Sequence, residues 1–134
     1  MGSYLIDYII GKDTLNIDYF KDKSLIHIFL VSVIIGPLIE TLIFQFGIIE
    51  IFLFFKKNKI FELIAIVLSS ILFGLTHNYN LYYLVFGIIV GFIFAIIYVV
   101  AKKRNDMNAF TIVFITHIFT NLIAFFHNDV FGLG

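Results

Sequence analysis

Glu40 lies inside the apolar run Ser24–Phe55, where the only other ionisable side chains are His27 and Glu50. A carboxylate at membrane depth is costly, so it marks a functional site by default. Later apolar runs hold plausible partners for it in His77, His117 and Asn121. One carboxylate, two imidazoles and a carboxamide support two kinds of chemistry. The carboxylate can act as general base on a water while imidazole and amide donors stabilise an oxyanion. Alternatively, Glu40, His77 and His117 can hold a divalent metal such as zinc, with a position left open for water. Other classes are excluded. The chain has no cysteine, hence no thiolate nucleophile, disulfide or Cys-based zinc site. No serine in the apolar runs is flanked by a usable His and Asp, and there is no glycine-rich phosphate loop.

The elements that must position these residues are membrane helices. The 134 residues are 61% hydrophobic and only 13% charged, with a mean hydropathy of +1.05, against about a quarter charged for a soluble domain. Net charge is zero, and no basic stretch suits a nucleic acid. Four apolar segments predict helices over about 24–55, 60–77, 81–101 and 109–127, each long enough to cross a hydrocarbon core of about 30 Å. The first would run about 48 Å as a straight helix, so it must tilt, project or bend. Pro37, the single proline, marks the expected bend or the start of an inner helix. Residues 1–23 are too polar to span and are expected to lie at the interface. They also lack the basic start and uninterrupted apolar stretch of a signal peptide.

The connections are short. By parity, loops 56–59 and 102–104 share one membrane face, and they hold six of the nine Lys and Arg residues. The positive-inside rule makes that face cytoplasmic. Glu50 is expected to pair with a lysine there, such as Lys57. Gly87, Gly91 and Ala95 form a small stripe for close helix packing within the chain, with homo-oligomerisation as its alternative use. His117 and Asn121, four residues apart, share a helix face. Each helix carries one polar or small stripe that lipid will not take, so the stripes should face one another. Rise and parity allow Glu40, His77, His117 and Asn121 to meet in the half of the bilayer away from the basic loops.

Three segments together resemble a known family. Pro37-Leu38-Ile39-Glu40-Thr41-Leu42-Ile43-Phe44-Gln45, then Phe73-Gly74-Leu75-Thr76-His77, then His117-Ile118-Phe119-Thr120-Asn121 fall in order on the first, second and fourth apolar segments. They are similar to the Glu-Glu-x-x-x-Arg, Phe-x-x-x-His and His-x-x-x-Asn motifs of the CPBP family. That family comprises CaaX proteases and bacteriocin-processing enzymes, also called abortive-infection-type membrane proteases. The similarity covers about residues 34–126. Here Thr41 and Gln45 stand where the family has its second acid and its arginine.

The resemblance implies a protease in which Glu40 activates the hydrolytic water with help from His77. His117 and Asn121 would stabilise the tetrahedral oxyanion, while Thr41, Gln45 and Phe73 support the motifs. A metal-free, glutamic-type mechanism is expected ahead of a zinc-dependent one, because Asn is a poor zinc ligand.

The expectation is therefore an all-α polytopic membrane protein, one domain over residues 1–134 built as a four-helix bundle. It would be an intramembrane endopeptidase in a bacterial cytoplasmic membrane, its partners a polypeptide substrate and the lipid bilayer. The rival is a catalytically degenerate relative that binds or scaffolds a membrane partner.

Overall fold

A computed structural model describes residues 22–132. The expected interfacial segment falls almost wholly outside the described residues. Four helices follow one another: α1 (Leu25–Phe55), α2 (Lys59–Thr76), α3 (Leu81–Arg104) and α4 (Ala109–Val130). All four are long and apolar enough to cross a membrane, and among the described residues there is no strand. This is the expected all-α membrane bundle.

The helix starts follow from local chemistry. The first N–H groups of a helix lack intrahelical acceptors, so Ser and Asn side chains are favoured just before them. Ser24, Asn58, Asn80 and Asn108 take this role, accepting from the backbone N–H of His27, Phe61, Tyr83 and Thr111 at 3.3, 2.9, 3.0 and 3.1 Å. One asparagine in each of the three connections is therefore a helix N-cap.

α3 continues through Lys102, Lys103 and Arg104 and stops at Asn105, whose φ of 55° is left-handed. Residues 102–104 are thus the last helical turn, where cations complement the helix dipole, and not a loop. Their side chains reach back along the bundle. Lys102 pairs with Glu50, which also accepts from the Tyr98 hydroxyl at 2.6 Å. Lys103 pairs with Glu62 at 2.6 Å. The partner of Glu50 is therefore Lys102 of α3, and not Lys57 as the sequence suggested. Sequence proximity favours Lys57, but packing of α1 against α3 puts Lys102 within reach.

α1 does not break at Pro37. Its hydrogen bonding instead widens to the i→i+5 register over Leu30–Ile35 and again over Thr41–Ile48, on either side of an α-helical turn Gly36–Glu40. Gly36 N–H bonds the carbonyl of Val31, five residues back. A proline ring collides with the carbonyl four residues before it, and the widened turn relieves that collision.

α2 and α3 pack at backbone contact. A Cβ on Gly87 would lie 3.1 Å from the Gly74 Cα. One on Gly91 would lie 2.9 Å from the Phe73 ring. The small stripe is therefore used inside the chain, as expected. The buried core runs through Phe44, Ile49, Ala65, Phe73, Phe94, Tyr98 and Val113. Large side chains such as Phe54, Ile60, Leu81, Phe119 and Ile123 are turned outward, where lipid would meet them.

Candidate active site

Glu40 ends the α-helical turn of α1, and Thr41 begins the widened one. Successive helical residues diverge by about 100° around the axis. The His117 ring, projecting from α4, inserts between them. Its Nε2 lies 3.3 Å from Glu40 Oε2, and its Nδ1 lies 3.2 Å from Thr41 Oγ1. Both ring nitrogens are thereby partnered from a single neighbouring helix. The arrangement is sealed, with Glu40 6% exposed, His117 2% and Thr41 0%.

Aromatic rings close the remaining sides. Phe94 of α3 has its centroid 4.7 Å from that of His117, and Phe73 of α2 lies at 5.5 Å. Every helix therefore contributes to holding this imidazole. Phe73 also packs on the His77 ring at 4.8 Å, so one phenyl touches both histidines. Phe94 carries no motif; the only sequence signal for it was its place beside Ala95 on the small stripe.

His77 sits just past the end of α2 and is half-buried. Its Nδ1 lies 3.1 Å from the Phe73 carbonyl and 3.0 Å from Thr76 Oγ1. A carbonyl only accepts, and the Thr76 hydroxyl spends its own proton on that carbonyl at 2.6 Å. Nδ1 of His77 therefore carries hydrogen, and in the neutral ring Nε2 presents a lone pair.

Asn121 is held elsewhere. Its Nδ2 donates to the carbonyl of Ser32 on α1 at 2.8 Å. That carbonyl has a specific need. In the i→i+5 register seen at Gly36, the Ser32 carbonyl would be served by the N–H of residue 37. Residue 37 is proline and has no N–H. Asn121 supplies the donor that Pro37 lacks. A buried backbone carbonyl in lipid must find such a partner. Ser69 bonds the Phe44 carbonyl of the other widened segment in a similar way, at 2.9 Å.

Gln45 is wholly buried, and neither its amide oxygen nor its nitrogen finds a partner among the described residues. Thr41, one turn away, is engaged with His117. Among the described residues, three cavities lie at the basic end, away from this site. One of about 540 Å³ is lined by Glu50, Leu53, Phe54, Lys57 and Lys102, about 15 Å of helix from Glu40. Among the described residues, no three His, Asp or Glu side chains are gathered closely enough to hold a metal ion.

Apolar helices sealing a carboxylate–imidazole pair from lipid define a polytopic integral membrane protein with an interior polar site. The chain matches the family model of the type II CAAX prenyl endopeptidases, Rce1-like, over residues 22–123, and it belongs to that family. The match spans all three motifs and agrees with the resemblance they carried. By family the chain is a membrane protease acting on a polypeptide. No curated protein and no solved structure matched it.

Proposed function

We propose that the protein hydrolyses a peptide bond of a membrane-associated polypeptide, with Glu40 as the general base. The observation that carries this reading is the buried Glu40–His117 contact at 3.3 Å. Water entering beside Glu40 would lose a proton to the carboxylate as its oxygen attacks the scissile carbonyl. The carbonyl oxygen would become an oxyanion facing an amide N–H, since the N–H of each imidazole is already committed. The proton held on Glu40 would then pass to the departing amine as the C–N bond breaks. His77, with its lone pair on Nε2, would assist as a second proton acceptor. Asn121 has two amide hydrogens; one is spent on Ser32, and the other is its contribution to the oxyanion.

A metal-free mechanism suits this geometry. Both nitrogens of His117 are engaged, one by Glu40 and one by Thr41, which leaves that ring no lone pair for zinc. The positive-inside rule supports placing the basic ends of the helices in the cytoplasm. Glu40 then lies about 22 Å of helix above them, in the far half of the bilayer. The sealed site suits a substrate that enters laterally between helices.

The test uses purified protein in lipid vesicles with a library of membrane-anchored peptides, products read by mass spectrometry. Glu40→Gln should abolish cleavage while the helical circular dichroism is unchanged. Cleavage at the original rate by a folded Glu40→Gln protein would end the proposal. Failure of the unaltered protein to cleave any member, with retained capture of a membrane partner, would favour the scaffold reading.

A further inference from the structure

We infer that Thr41 is a positioning residue that fixes the tautomer of His117, so that the two histidines of the site are held in opposite tautomers. The assignment follows from partner types. An ionised carboxylate only accepts, so the His117 nitrogen facing Glu40 Oε2 at 3.3 Å is the one that carries hydrogen, Nε2. A neutral imidazole has a single N–H, which leaves Nδ1 bare and in need of a donor. The Thr41 hydroxyl, at 3.2 Å, is that donor. Both residues are buried, so water does not compete for either nitrogen.

The hydroxyl of a helical threonine commonly turns back onto the carbonyl four residues earlier. Thr116 and Thr120 do this, at 2.9 and 3.0 Å. Thr41 has that carbonyl beside it, at Pro37, but its hydrogen bond goes across the bundle to His117. His77 is fixed the other way, because the Phe73 carbonyl and Thr76 hydroxyl both require hydrogen on Nδ1. One ring thus presents an N–H to Glu40, and the other presents a lone pair. That is a division into hydrogen-bond donor and proton acceptor, set by two threonines and a carbonyl. Its use in catalysis rests on the protease reading above; the tautomers themselves do not.

The experiment is nitrogen NMR of ¹⁵N-histidine-labelled full-length protein in micelles, with signals assigned by His77→Gln and His117→Gln. The expected spectrum has His117 with a bare Nδ1 and a protonated Nε2, and His77 with the reverse. Thr41→Val, similar in volume but without a donor, should give His117 a mixture of tautomers. Thr41→Ser should restore the single form. Where a cleaved peptide is available, Thr41→Val should lower turnover by about 10-fold or more, on the scale of what a metal-bound imidazole loses with its outer hydrogen-bond partner. The serine variant should recover it.

A doubly protonated His117, a protonated Nδ1, or a His117 pattern indifferent to Thr41→Val would each overturn the inference. If the valine variant does not fold, the spectrum of the unaltered protein decides alone. The expected spectrum in a protein that cleaves nothing would sink the protease reading and leave the tautomer assignment standing. Cleavage with the wrong spectrum would do the opposite.

Discussion

If Asn121 answers a need created by Pro37, then restoring an N–H at position 37 should make Asn121 dispensable for stability. The perturbation is a double-mutant cycle of Asn121→Leu and Pro37→Ala. The bond removed is Nδ2 to the Ser32 carbonyl at 2.8 Å, joining α4 to α1 across 89 residues of sequence. Interhelical hydrogen bonds in membranes average about 0.6 kcal/mol and reach about 1.7. Leaving a buried acceptor unpaired costs about 1–3 kcal/mol. Because proline removes the backbone donor as well, the carbonyl would lose every partner, and the upper part of the range applies. Asn121→Leu should therefore cost about 1.5 kcal/mol in the unaltered background. With Pro37→Ala, the Ser32 carbonyl regains a helical partner, whether the widened register persists or relaxes to the ordinary one. The cost should then fall to about 0.5 kcal/mol, a coupling of about 1 kcal/mol. The assay is reversible unfolding in mixed micelles followed by circular dichroism, since the chain has no tryptophan. Equal costs in the two backgrounds, within about 0.3 kcal/mol, would refute the link between Pro37 and Asn121.

Three further outcomes are expected. Gly91→Ala would place a methyl 2.9 Å from the Phe73 ring, which touches both histidines; a stability loss of about 1–3 kcal/mol should come with reduced peptide cleavage, and an active variant of unchanged stability would show that Phe73 does not hold the rings. Gln45→Met replaces a buried amide without partners by an apolar chain of similar size and should raise stability by about 1 kcal/mol or more; a comparable loss would mean that a buried water satisfies the amide. The chain has no native cysteine, so a single Lys57→Cys can be probed in intact cells, where an impermeant maleimide should fail to label it until the membrane is opened; labelling of intact cells would invert the proposed orientation.

Much of the bundle was legible because its causes are local. Apolar runs of spanning length predict helices in lipid whatever they pack against, and the Ser and Asn residues before them cap their first turns. The stripe of Gly87 and Gly91 could be read as a packing surface because small residues in lipid have few other uses. Even the meeting of Glu40 with His117 follows from a simple rule, that polar stripes excluded by lipid must find one another. The motifs carried the family for the same reason: each is a short spacing on one helix.

Tertiary structure decided which atom bonds which. Glu50 was matched to the nearer lysine in sequence, and the bundle gave it Lys102, because adjacent helices bring residues 52 apart within reach. Thr41 looked like a lost acid and turned out to be the partner of His117 Nδ1. Asn121 shares its helix face with His117, yet its amide is drawn to Ser32. That pairing depends on a hydrogen-bond register in α1 that hydrophobic periodicity does not encode. Sequence determined that a carboxylate and an imidazole would be buried together in a membrane. Helix rotation, axial offset and one shifted turn around Pro37 determined which side chains hold them in place, since hydrogen bonds are settled over tenths of an ångström and hydrophobic stripes only over whole helix faces.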